Sequence, residues 1–273
     1  VAGGWLGGWM GMHYGWRSSF YVLGISGIFL VFLLFFLLKE PPRGTIGEKT
    51  NDDPAGKGPE SAAAMFKNML FLYKIPMVVV LTAVFIGANF VATIFLVWTP
   101  KFLVDKFNMS LSMAGFSATA YLQVGSVLGV LAGGYLADRW VRRHRGGRML
   151  TQSIGLLAGV PFIFAVGWTL HIYVLIPAMF CFGIFKGIYD ANIWASLHDV
   201  TPVERRSSAV GIMNSLSWFG GAMAQVIIAR ASMQYGMSAC LSATSMIYLF
   251  FGLLLVWGVL RYMKGRPVAA IGQ

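Results

Sequence analysis

Seven runs of about twenty apolar residues constrain this chain more than any other feature, because a water-exposed fold has nowhere to hide them. They fall at 18–38, 77–98, 113–137, 150–168, 172–197, 208–230 and 239–260. In a bilayer each backbone polar group must be satisfied within its own segment, so such runs read as transmembrane helices. Composition agrees: 57% of the 273 residues are hydrophobic and 11% are charged, against roughly half and a quarter in a soluble domain. The expected fold class is an all-α polytopic membrane protein. Residues 1–12 are apolar and Gly-rich, with no initiator Met, basic flank or cleavage site. They read as the second half of a helix whose beginning is missing, so a fragment of a longer protein is expected.

The net charge of +11 would point a soluble protein toward nucleic acid. Here the positions of the charges answer otherwise. Sixteen of the 21 Lys and Arg residues lie in loops on one side of the expected membrane and four on the other, with Lys186 inside a run. The richer side is cytoplasmic by the positive-inside rule, which puts the linker and the C-terminus inside the cell and excludes a nucleic-acid partner. Cys181 and Cys240 both lie inside apolar runs, so neither a disulfide framework nor a cysteine metal site is expected. HExxH, GxSxG, P-loop and GxGxxG motifs are absent. His13, His144, His171 and His198 sit in junctions rather than at ligand spacing. No enzyme, metal or cofactor is expected; His198 beside Asp199 is either a proton-sensitive pair or an interfacial cap.

The stretch 40–60, rich in Pro, Gly and charge, cannot bury a core and reads as a cytoplasmic linker. After it, Met65, Phe66, Met69, Leu70 and Tyr73 recur at helical spacing, which predicts an amphipathic surface helix over 61–74. Pro76 then marks a bend where the chain enters the membrane.

The segment 133–148, GGYLADRWVRRHRGGR, directly follows the third run. It resembles the cytoplasmic loop signature of the major facilitator superfamily, with Gly134, Leu136, Ala137, Asp138, Arg139, Arg142 and Arg143 matching and Val141 departing where that family has Gly. Gly15-Trp16-Arg17 is similar to the junction of its fifth and sixth helices, and the Gly3-Gly4 and Gly7-Gly8 pairs to the small-residue face late in helix five. The resemblance implies a chain starting inside helix five: 1–38 ends the N-terminal bundle, 39–68 is the inter-half linker, 69–262 is the complete C-terminal six-helix bundle, and 263–273 is a cytoplasmic tail. Residues 98–103, 187–192 and 199–202 look similar to the anion:cation symporter and sugar-phosphate permease branches.

In that frame Lys186 and Asp190 lie near the bilayer midplane at i, i+4, where a charge costs on the order of 2.5–3.5 kcal/mol even on the lenient scale. Either Lys186 is a counter-charge for an anionic substrate with Asp190 as partner or protonatable switch, or the two form a structural pair. Asn214, Trp218, Gly221 and Gln225 share one face of helix eleven; Thr82, Asn89 and Thr93 share one of helix seven; Thr119, Gln123 and Ser126 share one of helix eight, with Tyr121 on another. Asn89, Thr93, Tyr121, Gln123, Lys186, Asp190, Asn214, Trp218 and Gln225 are the substrate-path candidates. Each polar group can equally be interhelical glue. The resemblance makes Gly134, Asp138, Arg139, Arg142, Arg143, Glu204 and Arg205 a gating loop that latches helix ends in one transport state. A network of Asp138, Arg142, Glu204 and Arg205 is expected; a solvated positive-inside loop is the alternative. Thr201-Pro202-Val203-Glu204 reads as a capping box that starts helix eleven.

The function so implied is secondary uptake of a small organic anion coupled to H+ or Na+, by alternating access in the inner membrane with the missing N-terminal half. Proton-driven efflux of drugs or metabolites, and a non-transporting receptor on the same fold, are the alternatives.

Overall fold

The structure is a computed structural model that describes residues 2–37 and 71–263. Most of the expected linker, the surface helix over 61–74 except its last four positions, and the tail beyond 263 lie outside the described residues. The described chain is helical throughout, and seven of its helical segments are long and apolar enough to cross a membrane.

α1 (Ala2–Tyr14) and α2 (Trp16–Leu37) are joined at Gly15, whose φ of +80° is a conformation that glycine adopts without strain. α1 packs on α2 and on the later helix Leu111–Val141. At Gly7 an added Cβ would meet open space, so the close packing expected of the small-residue pairs is not made there. α2 buries none of its residues; its Phe and Leu side chains face outward all round.

The six-helix bundle begins at α3 (Pro76–Phe107), with Pro76 at its first turn, where the missing N–H is not needed. α3 continues through Pro100 past the expected end at 98 and stops at Asn108 in the left-handed region, φ 53°. α4 (Leu111–Val141) is capped by Ser110, whose hydroxyl accepts from the Met113 amide at 3.3 Å. α5 is Gly147–Trp168, α8 is Arg206–Tyr235 and α9 is Met237–Tyr262.

Two boundaries correct the sequence reading. The run at 172–197 is not one helix but α6 (Ile172–Asp190) and α7 (Ile193–Val200). Between them the buried Asn192 turns its amide onto the carbonyls of Gly133, at 3.2 Å, and Ile188, at 3.4 Å, and so leaves the helical path. The second correction concerns the capping box. Pro202 has ψ 144°, outside the helix, so a single 3-10 turn (Val203–Arg205) precedes α8. The Thr201 hydroxyl is buried with no hydrogen-bond partner, so it caps nothing.

Without a hydrophobic difference between lipid and protein interior, shape and hydrogen bonds must hold the helices together. α4 and α6 meet backbone to backbone: an added Cβ at Gly129 would overlap the Ile184 carbonyl, and one at Gly187 the Ser126 carbonyl. Gly125, Gly129 and Gly133 at four-residue spacing face Gly183 and Gly187, the small-residue pattern of close membrane crossings. α3 rests on α8, α9 and α4, and α5 on α9 and α6. In the core, the rings of Phe95, Phe182 and Tyr248 meet in sequence, Phe95–Phe182 tilted with centroids 4.8 Å apart and Phe182–Tyr248 edge to face at 5.7 Å.

Candidate functional site

Four helices contribute side chains to one cavity of about 160 Å³, polar groups beside apolar ones, which opens at the bundle surface where Trp218 is exposed. α3 supplies Asn89 and Thr93, α4 Thr119 and Gln123, α6 Lys186 and α8 Trp218, with Phe95 and Phe182 as its apolar wall. Five of the nine expected path residues therefore share one space. Thr119 joins them because it sits one helical turn before Gln123. The aromatic wall was not singled out, since Phe in a membrane helix carries no signal that separates lipid from cavity.

Lys186 and Asp190 are bonded to each other, Nζ donating to Oδ2 along the helix, and both side chains are partly buried. The ammonium keeps two donors beyond that bond. Asp190 does not itself line the cavity and stands at the last turn of α6, where the chain breaks toward α7. Asn214 is exposed and outside the cavity; Tyr121, half-buried against the apolar core, lies outside it too.

The remaining polar candidates tie α3 to α8. The Asn89 amide donates to the Ser217 carbonyl at 2.8 Å, the Thr93 hydroxyl lies 3.4 Å from the Gly221 carbonyl, and the Trp98 indole donates to Gln225 Oε1 at 2.7 Å. These partners advance together along both chains, so α3 and α8 run in the same direction, with the register shifting by one residue at the last pair. Asn89 and Thr93 thus serve both the seam and the cavity, while Gln225 serves the seam alone. Ser217, an acceptor that sequence reasoning did not name, is identifiable only once the register is known.

At the far end of the bundle, Tyr135, Asp138, Arg139, Arg142 and Arg143 surround an open recess of about 380 Å³. Gly134 adjoins it, and an added Cβ there would meet open space. The expected four-residue charge network is not formed among the described residues. Arg205 lies over the Phe71 ring at 3.8 Å instead, no ion pair joins Asp138 to Arg142, and the side chain of Glu204 is outside the described residues. Among the described residues the ion pair at this end is Arg148–Asp199, 2.6 Å, which clips α5 to α7 and engages the carboxylate next to His198.

The sequence profile of the Major Facilitator Superfamily matches residues 1–225. The chain belongs to that superfamily. Among curated members, it is similar to a protein named "probable galactarate/D-glucarate transporter GarP" of Escherichia coli (strain K12), 29% identical over 225 residues, 76% of this chain and 50% of that one. It is also similar to the hexuronate transporter of Bacillus subtilis (strain 168), 25% identical over 223 residues, 77% of this chain and 50% of that one. The chain spans about half the length of these curated relatives. Among solved structures, a bacterial homologue of the human lysosomal transporter Spinster, inward-facing and unoccupied, superposes with a TM-score of 0.66 at 18% identity, over 95% of this chain and 63% of that one. That likeness shows the Major Facilitator fold. The family is one of transporters and not of enzymes, in agreement with the sequence reading.

Proposed function

We propose that the chain is part of an ion-coupled transporter for small organic anions of the sugar-acid class, with Lys186 as the charge that meets the substrate carboxylate. Lys186 facing a cavity shared by α3, α4, α6 and α8 is the observation that carries this reading. An ammonium with donors left over, an adjacent amide at Gln123 and the hydroxyl of Thr119 suit a polyhydroxylated carboxylate, and the relatives named for galactarate, glucarate and hexuronate support the same class. Asp190 bonds Lys186, and a substrate carboxylate entering the cavity takes over as the ammonium's partner. Coupling is to H+ or Na+. Residues 1–38 belong to a first bundle, 39–68 to the inter-half linker, 69–262 to the second bundle and 263–273 to the tail, with linker, tail and the Asp138 recess on the cytoplasmic side of the inner membrane. The loop carrying Asp138 and its arginines is the gate, and the two bundles rock about the midplane site.

The test is equilibrium binding to the reconstituted protein of radiolabelled D-glucarate, D-galacturonate and a neutral hexitol. A hydrogen bond to a charged group contributes about 1.5–3 kcal/mol, so Lys186→Gln should weaken both anions by roughly ten- to a hundredfold. Equal affinity of the unsubstituted protein for hexitol and anion would reject the assignment.

A further inference from the structure

Two further cavities lie away from the polar one and share a wall. The first is an apolar groove of about 370 Å³ between α8 and α9, floored by Phe90 and Ile94 of α3. The second is a recess of about 620 Å³ at the end of the bundle that holds Lys106, Trp168, His171 and Ser238. Tyr235 and Ala239 line both, so the groove opens into the recess. On α8 the groove residues Ile227 and Ala231 stand about half a turn round from Trp218 and Gln225, so the groove looks away from the polar cavity.

The recess carries an uncompensated charge. Lys106 donates to the Gly167 carbonyl at 3.0 Å and to the Ser238 hydroxyl at 2.9 Å, and its ammonium lies 4.9 Å from the centre of the Phe102 ring. All three neighbours are neutral, and Lys106 makes no ion pair among the described residues. One of its three N–H donors is left over. Trp168 and Tyr235, each 71% exposed, flank the recess as amphipathic rings do at the level of lipid headgroups.

We infer that the recess and groove together bind one anionic phospholipid, its phosphate on Lys106 beside His171 and one acyl chain along the groove. The occupant follows from the chemistry. A soluble anion would satisfy Lys106 but leave the groove empty, and a zwitterionic lipid would fill the groove but bring a phosphate already neutralised by its own ammonium, so only an anionic lipid adds the net charge that Lys106 lacks. From Ala239 to Ile247 the groove runs about 12 Å along α9, most of the ~15 Å depth of one leaflet's hydrocarbon. The bound lipid would brace α3, α5, α8 and α9 where their ends meet, independently of what the polar cavity carries.

Native mass spectrometry of the detergent-purified protein, titrated with dioleoyl phosphatidylglycerol or dioleoyl phosphatidylcholine, tests this. The phosphatidylglycerol adduct should form at about fivefold lower lipid concentration, the scale of one basic residue acting on one anionic headgroup. Lys106→Gln should erase that preference and Lys106→Arg should keep it, thermal unfolding confirming that both are folded. Ala243→Trp, which fills the groove far from Lys106, should abolish the adduct and keeps the inference testable if Lys106→Gln misfolds. Equal adducts with the two lipids, an unchanged preference in folded Lys106→Gln, or a full adduct in Ala243→Trp would overturn the inference. Displacement of the lipid by equimolar glycerol 3-phosphate would overturn it too, since the recess would then be a site for soluble anions.

Discussion

The indole N–H of Trp98 donates to the side-chain oxygen of Gln225 at 2.7 Å, the last rung of a ladder that begins at Asn89–Ser217 and passes through Thr93–Gly221. Interhelical bonds in membrane proteins average about 0.6 kcal/mol and reach about 1.7. A double-mutant cycle of Trp98→Phe and Gln225→Leu should give a coupling energy of roughly 0.5–1.5 kcal/mol by unfolding in mixed micelles. A coupling indistinguishable from zero would mean that the rung does not hold the seam.

Lys186 and Asp190 make a second cycle with a different sign pattern. Removing one partner of a partly buried pair leaves a charge uncompensated, which in a fully buried pair costs about 3–5 kcal/mol; with both side chains partly exposed the loss here should be smaller. Lys186→Gln should therefore lower thermal stability, and adding Asp190→Asn should restore it. Restored stability without restored anion binding supports the substrate role, whereas recovery of both assigns the pair to structure alone.

Gly129 and Gly134 are five residues apart on α4 and should respond oppositely to substitution. A Cβ at position 129 collides with the Ile184 carbonyl, while at 134 it meets nothing. Overpacking costs typically 1–3 kcal/mol, so Gly129→Ala should shift the melting of the purified protein downward and Gly134→Ala should leave it unchanged or slightly raised. Fluorescence-detected size exclusion after heating reads both.

Asp138 is exposed and carries no ion pair among the described residues, whereas Arg148–Asp199 joins two helices at the same end. Asp138→Asn should move folding stability by less than about 0.5 kcal/mol, and Arg148→Gln should move it more. In the full-length transporter Asp138→Asn should slow turnover with substrate affinity kept, because a gate biases conformational populations without touching the ligand. Reduced affinity at unchanged turnover would place Asp138 at the site instead.

Membrane-impermeant thiol labelling checks the orientation. With Cys181 and Cys240 replaced by Ser, Leu170→Cys should react from outside intact cells and Arg143→Cys only after permeabilisation. Labelling of both from one side would break the topology.

The membrane spans were legible because a twenty-residue apolar run has one stable answer in lipid, and each of the six runs from 77 onward falls in helical structure, although the first continues to Phe107 and the run at 172–197 is broken after Asp190. The break after Asp190 was not legible, since Ala191-Asn192 carries neither Pro nor Gly and the turn depends on Gly133, distant in sequence, accepting from the Asn192 amide. The same reasoning explains the site. Lys186 and Asp190 declared themselves as charges in lipid, and Gln123 and Trp218 as large polar groups on helical faces. Whether Asn89, Thr93 or Gln225 serves a cavity or a seam depends on the register of α3 against α8, which one helix's periodicity cannot contain. Thr201 misled for the converse reason: the tetrapeptide suits a capping box, but Pro202 in an extended conformation moved the helix start beyond it.

The glycine contact of α4 with α6 divides the bundle into parts of unequal compliance. Where carbonyls of one helix press on the α-carbons of the other, even a small slide drives main-chain atoms into overlap, and no side-chain rotamer can absorb it. The α3–α8 seam is built from amides, hydroxyls and an indole, whose bonds can lengthen, swap acceptors or re-form one turn along. Any change in the shape of the cavity should therefore move α4 and α6 together, with Lys186 and Gln123, and be taken up by the wall bearing Asn89, Thr93 and Trp218.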